Sequence, residues 1–327
     1  MRKFRLITFT AGLALLAWLV MRSGPRRLIA DLRDVGWWML ALLGIAAVES
    51  AFRAAALRLA LGEDRRRFSF GSIYVVLMVS EAIQFAAAAG LLFGQTAKGW
   101  LLARRVSGPR AVSTVVIDVL LYYFTAAVFS LLGIALFFVL YPIAQGAREI
   151  GVAGAAFVGA AIFLGVMALR RRWFRASRLV KPLARWGIVR RRETVERAED
   201  IDTQIFEFRE KHRSAFRAIL LFDFATNFLL ALEVLVIFRL LGLAANYPAG
   251  IVVEGLTKLV DLGGLLVPGD VGIYQGGSGL ICHAIGYTVA TGVAVGVIRQ
   301  LRAILWAGVG FLALLVPGYA RPEVTRG

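Results

Sequence analysis

Charged and hydrogen-bonding side chains interrupt several long apolar runs of this sequence, and chemistry would be carried by them. Ionised groups in such a run cost at least about 2.5–3.5 kcal/mol each on insertion scales, so they are paired or functional. The densest stretch runs from Glu254 to Gln275. Glu254 and Lys258 are four residues apart, which puts them on one helix face, and Asp261 follows three residues later. Next comes Gly263-Gly264-Leu265-Leu266-Val267-Pro268-Gly269-Asp270-Val271-Gly272. A Pro268-Gly269 break frees backbone groups, which is tolerated where they line a cavity or are buried in protein. A half-helix after the break would aim its N-terminal N–H groups at such a cavity, a seat for a phosphate or another anion. The plainer reading of Pro268-Gly269 is a tight turn between two helices. Gly276, Gly277 and Gly279 permit close helix packing.

Other intramembrane candidates are scattered. Glu49 and Arg53 repeat the four-residue spacing, and a structural ion pair between them is expected. Glu81 lies in an apolar stretch. Asp118 has no partner within a turn. Asp223, Asn227 and Glu233 are spaced along one segment, and Arg299 and Arg302 fall in the last one. Arg299 is expected to pair with Asp118 or with a lipid phosphate. Conventional catalytic patterns are absent from the sequence: no Ser-His-Asp, P-loop or HExxH arrangement occurs. Ser278 and His283 are five positions apart, poor geometry for a nucleophile and its base. His283 reads as a packed core histidine and Cys282 as a small buried hydrophobe.

The elements that must hold these residues are helices in a bilayer. Of 327 residues, 59% are hydrophobic, and mean hydropathy is +0.73. That exceeds the 45–50% apolar share typical of soluble domains. About 20 apolar residues span the hydrocarbon core as a helix, and a helix satisfies its own backbone there. Segments are expected near 5–21, 35–61, 70–94, 111–141, 151–169, 216–243, 249–267, 271–288 and 289–316. The first resembles a signal peptide, but no small-residue cleavage site follows it, so it reads as an uncleaved span. The whole of 1–327 is read as one transmembrane domain.

Net charge is +17, from 38 basic and 21 acidic residues. The basic residues cluster between apolar runs, as in cytoplasmic loops, and would attract anionic headgroups rather than nucleic acid. Residues 170–213 form the largest basic loop, which places it and both termini in the cytoplasm. The first connection, with Arg22, Arg26, Arg27 and Arg33, then falls outside, against the rule. Within the loop, Ile201, Ile205 and Phe208 recur at helical spacing, the pattern of an amphipathic helix lying on the membrane or capping the bundle; a solvated connector is the alternative. Residues 68–106 begin and end inside, too short for two spans. A re-entrant hairpin fits, and 249–288 would form a second one entering from the other face. The expected fold is therefore an all-α polytopic bundle with two re-entrant hairpins in an inverted-repeat layout, which puts a binding site at the midplane. With one cysteine and two histidines, no metal or other cofactor is expected.

Two stretches carry a family resemblance. One is Leu91-Leu92-Phe93-Gly94-Gln95-Thr96-Ala97-Lys98-Gly99-Trp100-Leu101-Leu102-Ala103-Arg104, followed by Val115-Val116-Ile117-Asp118. The other is Leu265-Leu266-Val267-Pro268-Gly269-Asp270-Val271-Gly272-Ile273-Tyr274-Gln275-Gly276-Gly277, followed by Val297-Ile298-Arg299-Gln300-Leu301-Arg302. Through them the chain resembles the lysylphosphatidylglycerol synthase transmembrane-region family of flippase-like proteins, and within it the hopanoid-associated branch. Family members tend to carry Pro near Phe93 and Glu in place of Gln275, so Gln275 is expected to serve as a neutral hydrogen-bonding group. The resemblance implies a prokaryotic cytoplasmic membrane, and lipids as partners. It also implies transport or flipping of a hopanoid or polar lipid, without an aminoacyl-transferase domain. The cavity is expected to involve Asp118, Glu254, Lys258, Pro268, Gly269, Asp270, Gln275 and Arg299. Two rival functions are an intramembrane lipid-modifying enzyme, with Asp118 or Glu254 as acid or base, and a scaffold recruiting lipid-biosynthesis enzymes.

Overall fold

The computed structural model describes residues 35–87, 90–141, 145–170, 191–264 and 272–313. The described residues are all-helical: α1 (Trp38–Ala60), a 3-10 turn (Gly62–Arg67), α2 (Phe70–Ala86), α3 (Gly90–Leu102), α4 (Gly108–Leu140), α5 (Gln145–Arg170), α6 (Arg191–Lys211), α7 (Arg213–Leu240), α8 (Tyr247–Gly264), α9 (Ile273–Ala284) and α10 (Val289–Ala313). Four of them, α1, α4, α7 and α10, are long and apolar enough to cross a membrane. Within the predicted segment 70–94 the helix is broken after Ala86, where Ala87 turns extended, and resumes at Gly90, so this stretch is two helices, as the hairpin reading of 68–106 requires. The predicted segment 5–21 lies outside the described residues.

Local signals set the boundaries. Ser69 accepts a hydrogen bond from the Ser72 N–H at 3.2 Å and starts α2. Pro109 occupies the first turn of α4, where its missing N–H has no partner to lose. Gly62, at φ +58°, turns the chain out of α1 in a conformation that other residues rarely adopt.

Polarity is inverted relative to a soluble protein. Leu92, Phe157, Leu221 and Leu280 point outward and are exposed, whereas Lys98, Asp223, Glu233 and Glu254 are buried. An apolar exterior suits a lipid solvent, and the interior is left to polar groups.

At the centre, α1 and α7 pack antiparallel. Phe52 and Phe222 stack with ring centroids 5.7 Å apart. Toward one end, Ala56 and Ala60 meet Ala215 and Ile219; toward the other, Met39 and Leu42 meet Val234, Ile237 and Phe238. Three sets of packing pairs match across this central pair. Helix α2 lies on α10 and α8 lies on α4; α2 pairs with α3 and α8 with α9; α3 contacts α4 and α9 contacts α10. Small residues permit the two long crossings. A Cβ on Gly310 would sit 2.6 Å from the Met78 carbonyl oxygen, and one on Gly133 would sit 2.9 Å from Gly255 Cα. Trp306 Nε1 also donates to Ser50 Oγ at 3.2 Å, tying α10 to α1.

One end of the bundle is basic. There the α2–α3 pair starts and finishes, with Arg67 Nη1 donating to the Arg105 carbonyl and Arg105 Nη1 to the Arg67 carbonyl. Helix α6 sits at this end as an amphipathic cap. Its Phe208 is buried against Ala56, Ala60 and Ala215, with Ile205 packed beside it. Gln204 accepts from Ser113 Oγ at 2.6 Å, and Arg110 pairs with Asp64 at 3.2 Å. The α8–α9 pair starts and finishes at the opposite end, where Tyr287 packs on Phe238 and donates to the Ala244 carbonyl.

Candidate functional site

Two clusters of charged side chains occupy the interior, one in each half of the chain. The C-terminal cluster joins α7, α8, α9 and α10. Helix α8 supplies Glu254 and Lys258 one turn apart, and their side chains close at 2.8 Å, as the spacing predicts. Arg299, midway along α10, reaches Glu254 at 2.8 Å and Glu233 at 3.3 Å. Arg302, one turn on, meets Glu233 at 2.9 Å. The Tyr274 hydroxyl accepts a hydrogen bond from Arg299 Nη1. Two carboxylates are thus shared among three cations. Sharing lets Glu254, Glu233 and Arg299 each keep a partner when one contact opens, a property that an isolated pair lacks.

Gln275 serves as a neutral hydrogen-bonding group. Its Oε1 accepts from the Gly272 N–H at 2.6 Å, capping α9, and its Nε2 donates to Gln300 Oε1 of α10. Glycines bring α9 onto its neighbours: Gly279 faces Val289 and Val293, and Gly296 faces Gln275. Gly276 has open space beside it. Pro268, Gly269 and Asp270 lie outside the described residues.

The N-terminal cluster is built from α1, α2, α3 and α4. Lys98 and Asp118 form an ion pair at 2.8 Å whose side chains are 1% and 8% exposed. The expected pairing of Arg299 with Asp118 is therefore incorrect. Lys98 answers Asp118, while Arg299 is held by Glu254 and Glu233 in the other half. Nor does Arg53 close on Glu49. It crosses to Glu81 of α2 at 2.5 Å and lies over the Tyr122 ring, 4.6 Å from its centroid. A flexible side chain of this length can reach a neighbouring helix, so spacing along one helix does not settle its partner. Glu49 remains a buried neighbour of Arg53 and Glu81.

Sequence reasoning missed Lys98 as a charge partner, and it missed Tyr274 and Gln300. All three lie in the stretches that carry the family resemblance, and a lysine in an apolar half-helix was the available signal. Cys282 is buried as expected. His283 is exposed rather than packed in the core, because it occupies the last turn of α9 where that helix reaches the end of the bundle.

Neither curated proteins nor solved structures returned a match. A family model described as "Lysylphosphatidylglycerol synthase TM region" matches residues 5–311. With nearly its whole length covered, this membrane protein belongs to the lysylphosphatidylglycerol synthase transmembrane-region family, a family linked to lipid handling.

Proposed function

We propose that the protein moves a lipid, either a hopanoid or a lipid with a polar head, between leaflets or membranes. The observation that carries this reading is the shared charge cluster around Arg299, buried in a bundle with an apolar exterior. Buried charges in a membrane interior mark pathways and sites by default. Three cations on two helices would receive an anionic or hydroxylated head, with Glu254 and Glu233 exchanging partners as it passes. The cavity assignment comprises Glu254, Lys258, Gln275, Arg299, the break at Pro268, Gly269 and Asp270, and Asp118 on the opposite side.

The two short helix pairs, α2–α3 and α8–α9, are read as re-entrant hairpins entering from opposite faces. Helix α2 has 17 residues and α3 has 13, about 25 Å and 20 Å, short of a hydrocarbon core of about 30 Å. The matched packing pairs and the antiparallel α1 and α7 support an inverted repeat, the layout that places a transporter's site at the midplane. The basic end is assigned to the cytoplasm by the positive-inside rule.

The test is lipid analysis of cells lacking the protein, with membranes and leaflets separated, and of cells carrying Arg299→Ala. Transport predicts that a lipid is made but accumulates in the wrong leaflet or membrane, in both strains. A missing lipid with its precursor accumulated would instead make the protein a lipid-modifying enzyme. Normal lipid distribution with Arg299→Ala would remove Arg299 from the site.

A further inference from the structure

Three oxygens on one side of α7 have no hydrogen-bond partner: Asp223 Oδ2, Thr226 Oγ1 and Asn227 Oδ1. Their residues are 2%, 0% and 0% exposed. Spacings of three and four residues put them on a common helix face. Asn227 Nδ2 donates to the Asp223 carbonyl at 2.8 Å, which leaves the amide oxygen as the acceptor still to be satisfied. Buried polar atoms are nearly always satisfied, so three orphans on one helix face, with no ion pair to answer them, point to an occupant.

The charges around them point to its sign. Asp118 of α4, Arg53 of α1 and Lys98 of α3 are the charged groups whose fields reach Asp223. Arg53 is engaged by Glu81 at 2.5 Å and Lys98 by Asp118 at 2.8 Å. Arg53 and Lys98 are thus each held by another carboxylate, and among the described residues Asp223 has no ion pair of its own. A proton on Asp223 would neutralise it and supply one donor to these oxygens, and the pH arm of the test below separates that case from a bound cation. A carboxylate, a hydroxyl and an amide oxygen form a hard donor set. Among the described residues no three His, Cys, Asp or Glu side chains converge as a metal site, which argues against a transition metal. A divalent ion such as Ca²⁺ calls for six to eight oxygens, commonly several of them carboxylates.

We propose that Asp223, Thr226 and Asn227 form a binding site for a small alkali cation, with sodium as the expected occupant. The site lies in a different cluster from Arg299. Any role as the ion coupled to lipid movement rests on the transport reading; binding of the ion does not.

The test uses the purified full chain in detergent, with thermal unfolding followed by tryptophan fluorescence. Sodium chloride is titrated against choline chloride at constant ionic strength. A ligand that binds only the native state raises its stability in a saturable way. The wild type is expected to gain a saturable rise in unfolding temperature with sodium, and Asp223→Asn to lose it. If Asp223→Asn does not fold, Thr226→Ala, which removes one oxygen, is expected to move the sodium titration to roughly tenfold higher concentration. Equal unfolding temperatures of the wild type in sodium and choline would overturn the proposal. So would a sodium response undiminished in Asp223→Asn, an unmoved titration in Thr226→Ala, or a midpoint that follows pH and ignores sodium. Each of those results leaves the lipid-distribution test untouched.

Discussion

Removing Lys98 isolates a buried carboxylate, and the consequence can be worked out from the geometry. Lys98 Nζ and Asp118 Oδ2 are 2.8 Å apart, with side chains 1% and 8% exposed. At an effective dielectric of about 20, that separation gives a gross attraction of about 6 kcal/mol. Much of it offsets the desolvation of the two ions, so the net value of the pair is far smaller. Taking away one partner is different, because the remaining charge keeps its desolvation penalty. Lys98→Met should therefore destabilise by about 3–5 kcal/mol. The double variant Lys98→Met/Asp118→Leu leaves neither ion and should recover most of that loss. Arg299→Met is the contrast. Glu254 keeps Lys258 at 2.8 Å and Glu233 keeps Arg302 at 2.9 Å, so the loss should be nearer 1.5–3 kcal/mol, roughly that of hydrogen bonds to charged groups. Unfolding of membrane proteins is commonly irreversible, so the readout is the order of unfolding temperatures at one scan rate. The seven tryptophans supply the signal. The expected order is wild type and double variant highest, Arg299→Met next, Lys98→Met lowest. Lys98→Met unfolding with the wild type, or the double variant falling below Lys98→Met, would refute the pairing logic.

Two further outcomes follow from packing and capping. Gly255→Val places new atoms where Gly133 Cα stands 2.9 Å and the Phe129 carbonyl oxygen 3.1 Å from a Cβ. Backbone cannot yield as a side chain does, so a loss of at least about 1–3 kcal/mol is expected. Gly71→Ala, with open space around it, should not lower the unfolding temperature. Gln275→Ala removes the acceptor for the Gly272 N–H and should lower stability by about 1 kcal/mol. Gln275→Glu keeps that acceptor and should retain more of the unfolding temperature than the alanine variant; equal losses would show that the cap contributes nothing.

The class of the fold was legible because lipid imposes it. Apolar runs of spanning length leave helices as the way to satisfy the backbone. The list of buried charges was legible for the same reason, since each stands out against its neighbours. Their pairing was not. Glu254 and Lys258 could be read because one helix turn joins them, and that contact is local. Lys98 with Asp118, Arg53 with Glu81 and Arg299 with Glu233 join positions 20, 28 and 66 residues apart. Such partners are chosen by how helices cross, which depends on where Gly133, Gly255 and Gly310 let backbones approach. Phe208 was legible as part of an amphipathic face, and its burial under α6 gives that face a partner in the bundle. His283 misled because an apolar segment suggests burial, whereas a helix end opens outward.

The exchange of partners between halves governs how the chain can be assembled. Helix α2 rests on α10, and the Trp306–Ser50 contact spans 256 residues. During synthesis the first half therefore emerges before α10, and the contact of α2 with α10 can form only once the last helix has been made. Contacts of such sequence separation form late and slowly. In that interval Lys98, Asp118, Arg53 and Glu81 can pair within the first half, as they do in the finished protein. The early ion pairs would thus keep the waiting half from exposing bare charge to lipid, serving the birth of the bundle as well as its final form.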